Sequence, residues 1–69
     1  MLTTIKARGV KYVVRDMDVL QIRDARTGRW VHWMTIRGPA DKPFGVAMAL
    51  DNPGRFRVVR GWTETPVCP

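Results

Sequence analysis

The stretch Val19-Leu20-Gln21-Ile22-Arg23-Asp24-Ala25-Arg26-Thr27-Gly28-Arg29-Trp30-Val31-His32-Trp33-Met34 decides how the chain folds. Two runs rich in Val, Ile, Leu and Trp flank a short polar segment that ends on glycine, which is the pattern of a β-hairpin. Gly28 can adopt the left-handed conformation that closes such a loop. With Asp24 opposite Arg29, the register sets Arg23 across from Trp30, Ile22 from Val31, Gln21 from His32, Leu20 from Trp33 and Val19 from Met34. Successive side chains on a strand point to opposite faces, so the register sorts the hairpin in two. Leu20, Ile22, Val31 and Trp33 form an apolar face that belongs to the core. Val19, Gln21, Arg23, Trp30, His32 and Met34 form a mixed outer face. The register thus predicts Trp33 buried and Trp30 exposed or half exposed.

Working outward, turn signals punctuate the chain at intervals that suit strands. Asp51-Asn52-Pro53-Gly54 fits a type II turn, and Gly38 to Pro43 reads as a longer loop. Strands are expected near residues 2 to 8, 10 to 16, 18 to 24, 29 to 37, 44 to 50 and 55 to 62. For the fifth the competing reading is a helix, opened by Asp41-Lys42-Pro43 and continued by Ala47-Met48-Ala49-Leu50. Gly45 and the turn leading straight into Arg55-Phe56-Arg57-Val58-Val59 favour a hairpin. That hairpin would turn Ala47, Ala49, Phe56 and Val58 inward, and Val46, Met48, Leu50, Arg55, Arg57 and Val59 outward. Val10, Tyr12 and Val14 read as inward, Lys11, Val13 and Arg15 as outward. Arg60 would point inward by strict alternation, so either a bulge intervenes near Val58 and Val59 or the strand ends there. Trp62 reads as core or as a cover for the barrel mouth. The expected fold is all-β, five or six antiparallel strands in a small SH3-like or OB-like partly open barrel, a form that protects strand edges.

Composition narrows the function classes. At 69 residues the chain has room for one domain, with residues 63 to 69 expected as a flexible tail. One cysteine excludes an internal disulfide, and with His32 as the sole histidine no Cys/His zinc cluster can be written. Cys68, in the tail, reads as an incidental thiol. Stability must come from packing or from self-association into a homodimer. No apolar run suits a signal peptide or a membrane span, so a cytoplasmic protein without a membrane partner is expected. Twelve Lys and Arg against six Asp and Glu give a net charge of +6, carried mostly by arginine, whose planar fork suits phosphates, carboxylates and aromatic faces.

Catalysis finds little support. The chain has no serine to pair with His32 and no glycine-rich phosphate loop, so neither an enzyme nor a cofactor is expected. Asp16 and Asp18 flank a turn at Met17 and read as turn caps rather than as ligands of a hard cation. What remains is binding. A Trp beside arginines on a solvated sheet is a platform for unpaired bases, so Lys11, Arg15, Gln21, Arg23, Trp30, His32, Met34, Arg55 and Arg57 are the candidate residues for DNA or RNA. The segment Arg23 to Trp30 resembles the charged hairpins of small SH3-like chromatin proteins. That resemblance implies a Trp, Met and Arg sheet surface set against DNA. The alternative is a protein-binding module, such as a phage- or plasmid-type inhibitor or an assembly subunit, that meets an acidic protein surface through the same face.

Overall fold

A computed structural model describes residues 2–68, the Trp62 side chain excepted, so the role expected of that side chain lies outside the described residues. The chain runs β1 (Leu2–Ala7), β2 (Val10–Arg15), β3 (Val19–Arg23), β4 (Trp30–Thr35), α1 (Asp41–Asp51), β5 (Phe56–Arg60), a 3-10 turn (Gly61–Thr63) and β6 (Thr65–Cys68). It is a mostly β, α+β domain with two antiparallel sheets.

β1 and β2 pair as a hairpin joined by Arg8 and Gly9, both at positive φ (53° and 77°), the conformation of the tightest two-residue connection. The second sheet has the order β4-β3-β5-β6. Since β4 and β5 both run antiparallel to β3, they run parallel to each other, and their connection must cross the sheet. The segment expected as a fifth strand makes that crossing as α1. Its buried residues are Lys42, Gly45, Val46 and Ala49, spaced i, i+3, i+4 and i+7, so one helical stripe faces the sheet. Alternation misled because the stripe contains a lysine and a glycine and shows only two apolar members. Local bonds hold both helix ends. The Asp41 carboxylate accepts from the backbone N–H groups of Arg37 (3.1 Å) and Gly38 (3.4 Å), and the Asn52 backbone N–H and side-chain amide both donate to the Met48 carbonyl. Arg8, held in the β1–β2 turn, donates to the Leu50 carbonyl at 3.0 Å and pairs with Asp51 at 2.8 Å, supplying the cation the last turn of α1 lacks.

The core lies between α1, the four-stranded sheet and the β1–β2 hairpin. Val14, Leu20, Ile36, Val46, Ala49, Phe56, Val58 and Cys68 are its buried members, with Ile5, Tyr12, Ile22 and Met34 packed around them. Gly45 lets α1 pack tightly, for a Cβ there would lie 3.0 Å from Ile36 Cδ1 and 3.6 Å from Val58 Cγ2 on β5. With the helix on one side of one sheet and a separate hairpin alongside, the strands do not close into the SH3-like or OB-like barrel expected. The expected tail is also corrected. Thr65–Cys68 pairs with β5, and Cys68, opposite Val58, is buried, which pushes its thiol pKa up.

The hairpin register holds from Arg23–Trp30 to Gln21–His32 and then slips. Leu20 pairs with Met34 and Val19 with Thr35, leaving Trp33 as an extra residue in β4. This bulge overturns two expectations. Met34 moves to the core side, and Trp33, instead of filling the core, stands 53 % exposed with its ring edge-on to Phe56 (5.6 Å, 83°). Val31 is likewise 43 % exposed, because α1 lies over β5 and leaves β4 uncovered. The inward strand positions assumed for residues 46 to 50 disappear with the helix. Val46 is buried and Ala47 exposed, the reverse of the strand reading.

Candidate functional site

Register arithmetic builds the sheet face opposite α1 as three rungs. Arg23 pairs with Trp30 on β4 and donates its backbone N–H to the Arg55 carbonyl at 2.8 Å, so Trp30, Arg23 and Arg55 form the first rung. His32, Gln21 and Arg57 form the second, and Thr35, Val19 and Val59 the third. Six of the nine candidate residues thus share two adjacent rungs: Gln21, Arg23, Trp30, His32, Arg55 and Arg57. They come together even though the second hairpin does not exist, because β5 pairs with β3 instead and strand alternation from Phe56 onward is unchanged.

The rungs are tied by a polar chain. Arg57 Nε donates to Gln21 Oε1 at 2.8 Å, and Gln21 Nε2 donates to Glu64 Oε1 at 3.0 Å. A guanidinium can only donate and a carboxylate only accept, so the amide of Gln21 can serve both in one orientation. Gln21 is 6 % exposed, hence this chain is sheltered and the Arg57 head is fixed rather than mobile. Its guanidinium lies over the Trp30 ring, 4.5 Å from the centroid, a cation–π contact. Trp30 is half-buried under it. His32 is exposed, with Nε2 2.9 Å from Thr35 Oγ1. Glu64 was not foreseen, since its bond to Gln21 spans 43 residues and depends on the left-handed turn (φ 55°) that ends the 3-10 segment.

The remaining candidates lie elsewhere. Met34 is on the core side. Lys11 belongs to the other sheet, directly across from Lys6, and does not extend the arginine face. Arg15 lines a hollow of about 480 Å³ with Met17, Val19, Thr35 and Thr63, at the far end from Trp30. Arg60 is the last residue of β5, which shifts register against β6 between Val58 and Val59, so both alternatives to strict alternation are present there. It donates to the Val13 carbonyl and sits 3.3 Å from Asp18.

The acids, which in the sequence interrupt the basic residues, are folded away from this face or engaged locally. Asp18, 2 % exposed, accepts from the Arg15 backbone N–H and pairs with Arg60. Asp16 pairs with Lys42, itself only 3 % exposed, and the ammonium beside it holds the Asp16 carboxyl below the usual aspartate range. Asp18 thus caps the turn as expected, whereas Asp16 ties the turn to α1 through Lys42. Asp24 accepts from the Arg26 backbone N–H within its own loop, at 2.8 Å. The hairpin tip adds Arg26 and Arg29, both exposed, to the same end of the sheet as Arg23 and Arg55. Among the described residues no group of three or more His, Cys, Asp or Glu side chains is placed to hold a metal ion, and no helix is long and apolar enough to cross a membrane.

Compared with protein-family models, with curated proteins and with solved structures, the chain finds no match.

Proposed function

We propose that the protein binds single-stranded nucleic acid through the outer face of the four-stranded sheet and performs no chemistry on it. The observation that carries this reading is the Arg57 guanidinium held over the Trp30 ring by Gln21, with Arg23 and Arg55 on the neighbouring rung. A guanidinium plane backed by an indole is a stacking surface for a base, and unpaired arginines around it attract phosphates without demanding a sequence. A single strand is favoured over a duplex because α1 carries no recognition surface. Its exposed residues are Pro43, Phe44, Ala47 and Asp51, with no cation to enter a major groove.

A second reading has one observation in its favour. Val31 and Trp33 are exposed on β4, an edge strand, where a protein partner would cover them. One fluorescence titration separates the two. With an oligothymidine, quenching should persist in Trp33→Phe and be largely lost in Trp30→Phe. Quenching lost in Trp33→Phe alone would move the contact to the β4 edge, and no quenching in the parent protein would remove the nucleic-acid reading.

A further inference from the structure

The first rung ends in a hollow of about 270 Å³ between the hairpin loop and the Pro53–Gly54 turn, lined by Arg23, Asp24, Ala25, Gly28, Gly54 and Arg55. Its two arginine walls differ in how they are held. Arg23 is anchored, with Nε donating to the Gly28 carbonyl at 3.2 Å, so its two terminal amino groups are held in place with donors to spare. Among the described residues the Arg55 guanidinium makes no hydrogen bond or ion pair, although its backbone is fixed by the N–H it donates to the Asn52 carbonyl at 3.0 Å. Gly28 and Gly54 contribute bare main chain. Their φ angles are 74° and 80°, which other residues rarely adopt, so the two turns leave the hollow without a side chain from either position. The single carboxylate on the rim, Asp24, is engaged by its own loop.

We propose that this hollow is a phosphate-binding site, the fixed anchor for a strand whose neighbouring base stacks on Arg57 and Trp30. Two guanidiniums, one anchored and one without a partner among the described residues, suit a tetrahedral anion. Arg23 offers a preorganised pair of donors, and Arg55 closes over the ligand from the other turn. The proposal rests on the sheet-face reading above but adds a ligand group and a place for it. A phosphate could come from a strand terminus or from within the backbone, and the chemistry is shared.

The test follows the amide signals of Gly28 and Gly54 in nitrogen–proton NMR spectra of the whole chain. The probes are inorganic phosphate, chloride at matched ionic strength, and a thymidine octamer with and without a 5′-phosphate. Saturable shifts of both glycines with phosphate but not chloride are expected. Arg55→Ala should weaken phosphate by about tenfold, the loss of one charge-assisted contact, without moving the unfolding midpoint, and Arg55→Lys should recover part of it. Tighter binding of the 5′-phosphorylated octamer would assign the seat to a strand end; equal binding with the same glycine shifts would assign it to an internal phosphodiester. Glycine signals unmoved by phosphate, or moved equally in Arg55→Ala, would overturn the site. If the octamer perturbs Trp30 and leaves both glycines unchanged, the site fails while the sheet-face reading survives. If phosphate moves the glycines and no octamer binds, the site stands and that reading falls.

Discussion

At the scale of single residues, Trp33 and Leu20 illustrate how one inserted position redistributes energy. Leu20 is buried and meets Met34 across the strand pair, whereas Trp33 occupies the bulge and keeps about half its surface in water. Leu20→Ala should therefore cost about 2 to 5 kcal/mol, the range for a core leucine, while Trp33→Ala should cost only about 1 kcal/mol, mainly the edge-on contact with Phe56. Urea unfolding of the two variants checks the order, and a larger loss for Trp33→Ala would place that ring in the core. The sequence could not reveal this. Hairpin register was readable from Gly28 through Gln21–His32 because loop length fixes it. A bulge beyond that point leaves no mark, since Trp-Met on either face satisfies the same apolar pattern. Gln21 was legible as an outward residue but not as a buried link between Arg57 and Glu64, a role that exists only once three distant segments meet.

At the scale of elements, the crossing helix is the part of the fold that alternation missed and packing explains. Gly45 permits α1 to approach the sheet, and Lys42 occupies a stripe position by sending its ammonium to Asp16. Neither residue advertises a buried face, which is why residues 43 to 51 read as a strand in preference to a helix. Gly45→Val should destabilise the protein by about 1 to 3 kcal/mol despite the helix's general dislike of glycine, because the added carbons would crowd Ile36 and Val58, both fully buried. Thermal unfolding tests this, and a stabilised variant would mean that α1 can lift from the sheet at little cost. The strands of the outer face were better predicted than the sheet they form. Arg55 and Arg57 were assigned to the correct side through a hairpin that does not occur, since pairing to β3 preserves the same alternation.

At the scale of the whole molecule, pairing sorts the charges. Asp16, Asp18 and Asp51 neutralise Lys42, Arg60 and Arg8, and the arginines at the β3–β4 tip and the start of β5 remain without a carboxylate partner among the described residues. One consequence appears in acid. The folded state lowers the Asp16 carboxyl pKa through Lys42, so its contribution to stability is complete above the unfolded value, about 3.9, and is lost as pH falls through the lower folded value. Asp16→Asn, which strands the buried Lys42 ammonium, should be less stable than the parent at neutral pH, with the difference constant above about pH 5 and closing below about pH 4. Unfolding midpoints across that range give the answer, and a gap that widened in acid would contradict the pairing. The most direct test of the account is the salt dependence of oligothymidine affinity for the parent protein, Arg23→Ala, Arg57→Ala and Trp30→Ala. With Arg23, Arg26, Arg29, Arg55 and Arg57 near the strand, the parent slope of log affinity against log salt should be about 3 to 4, each arginine variant should lower it by about 0.7, and Trp30→Ala should weaken binding equally at every salt concentration. A flat parent response, or a loss confined to Trp30→Ala with both arginine variants unaffected, would contradict nucleic-acid binding by this face.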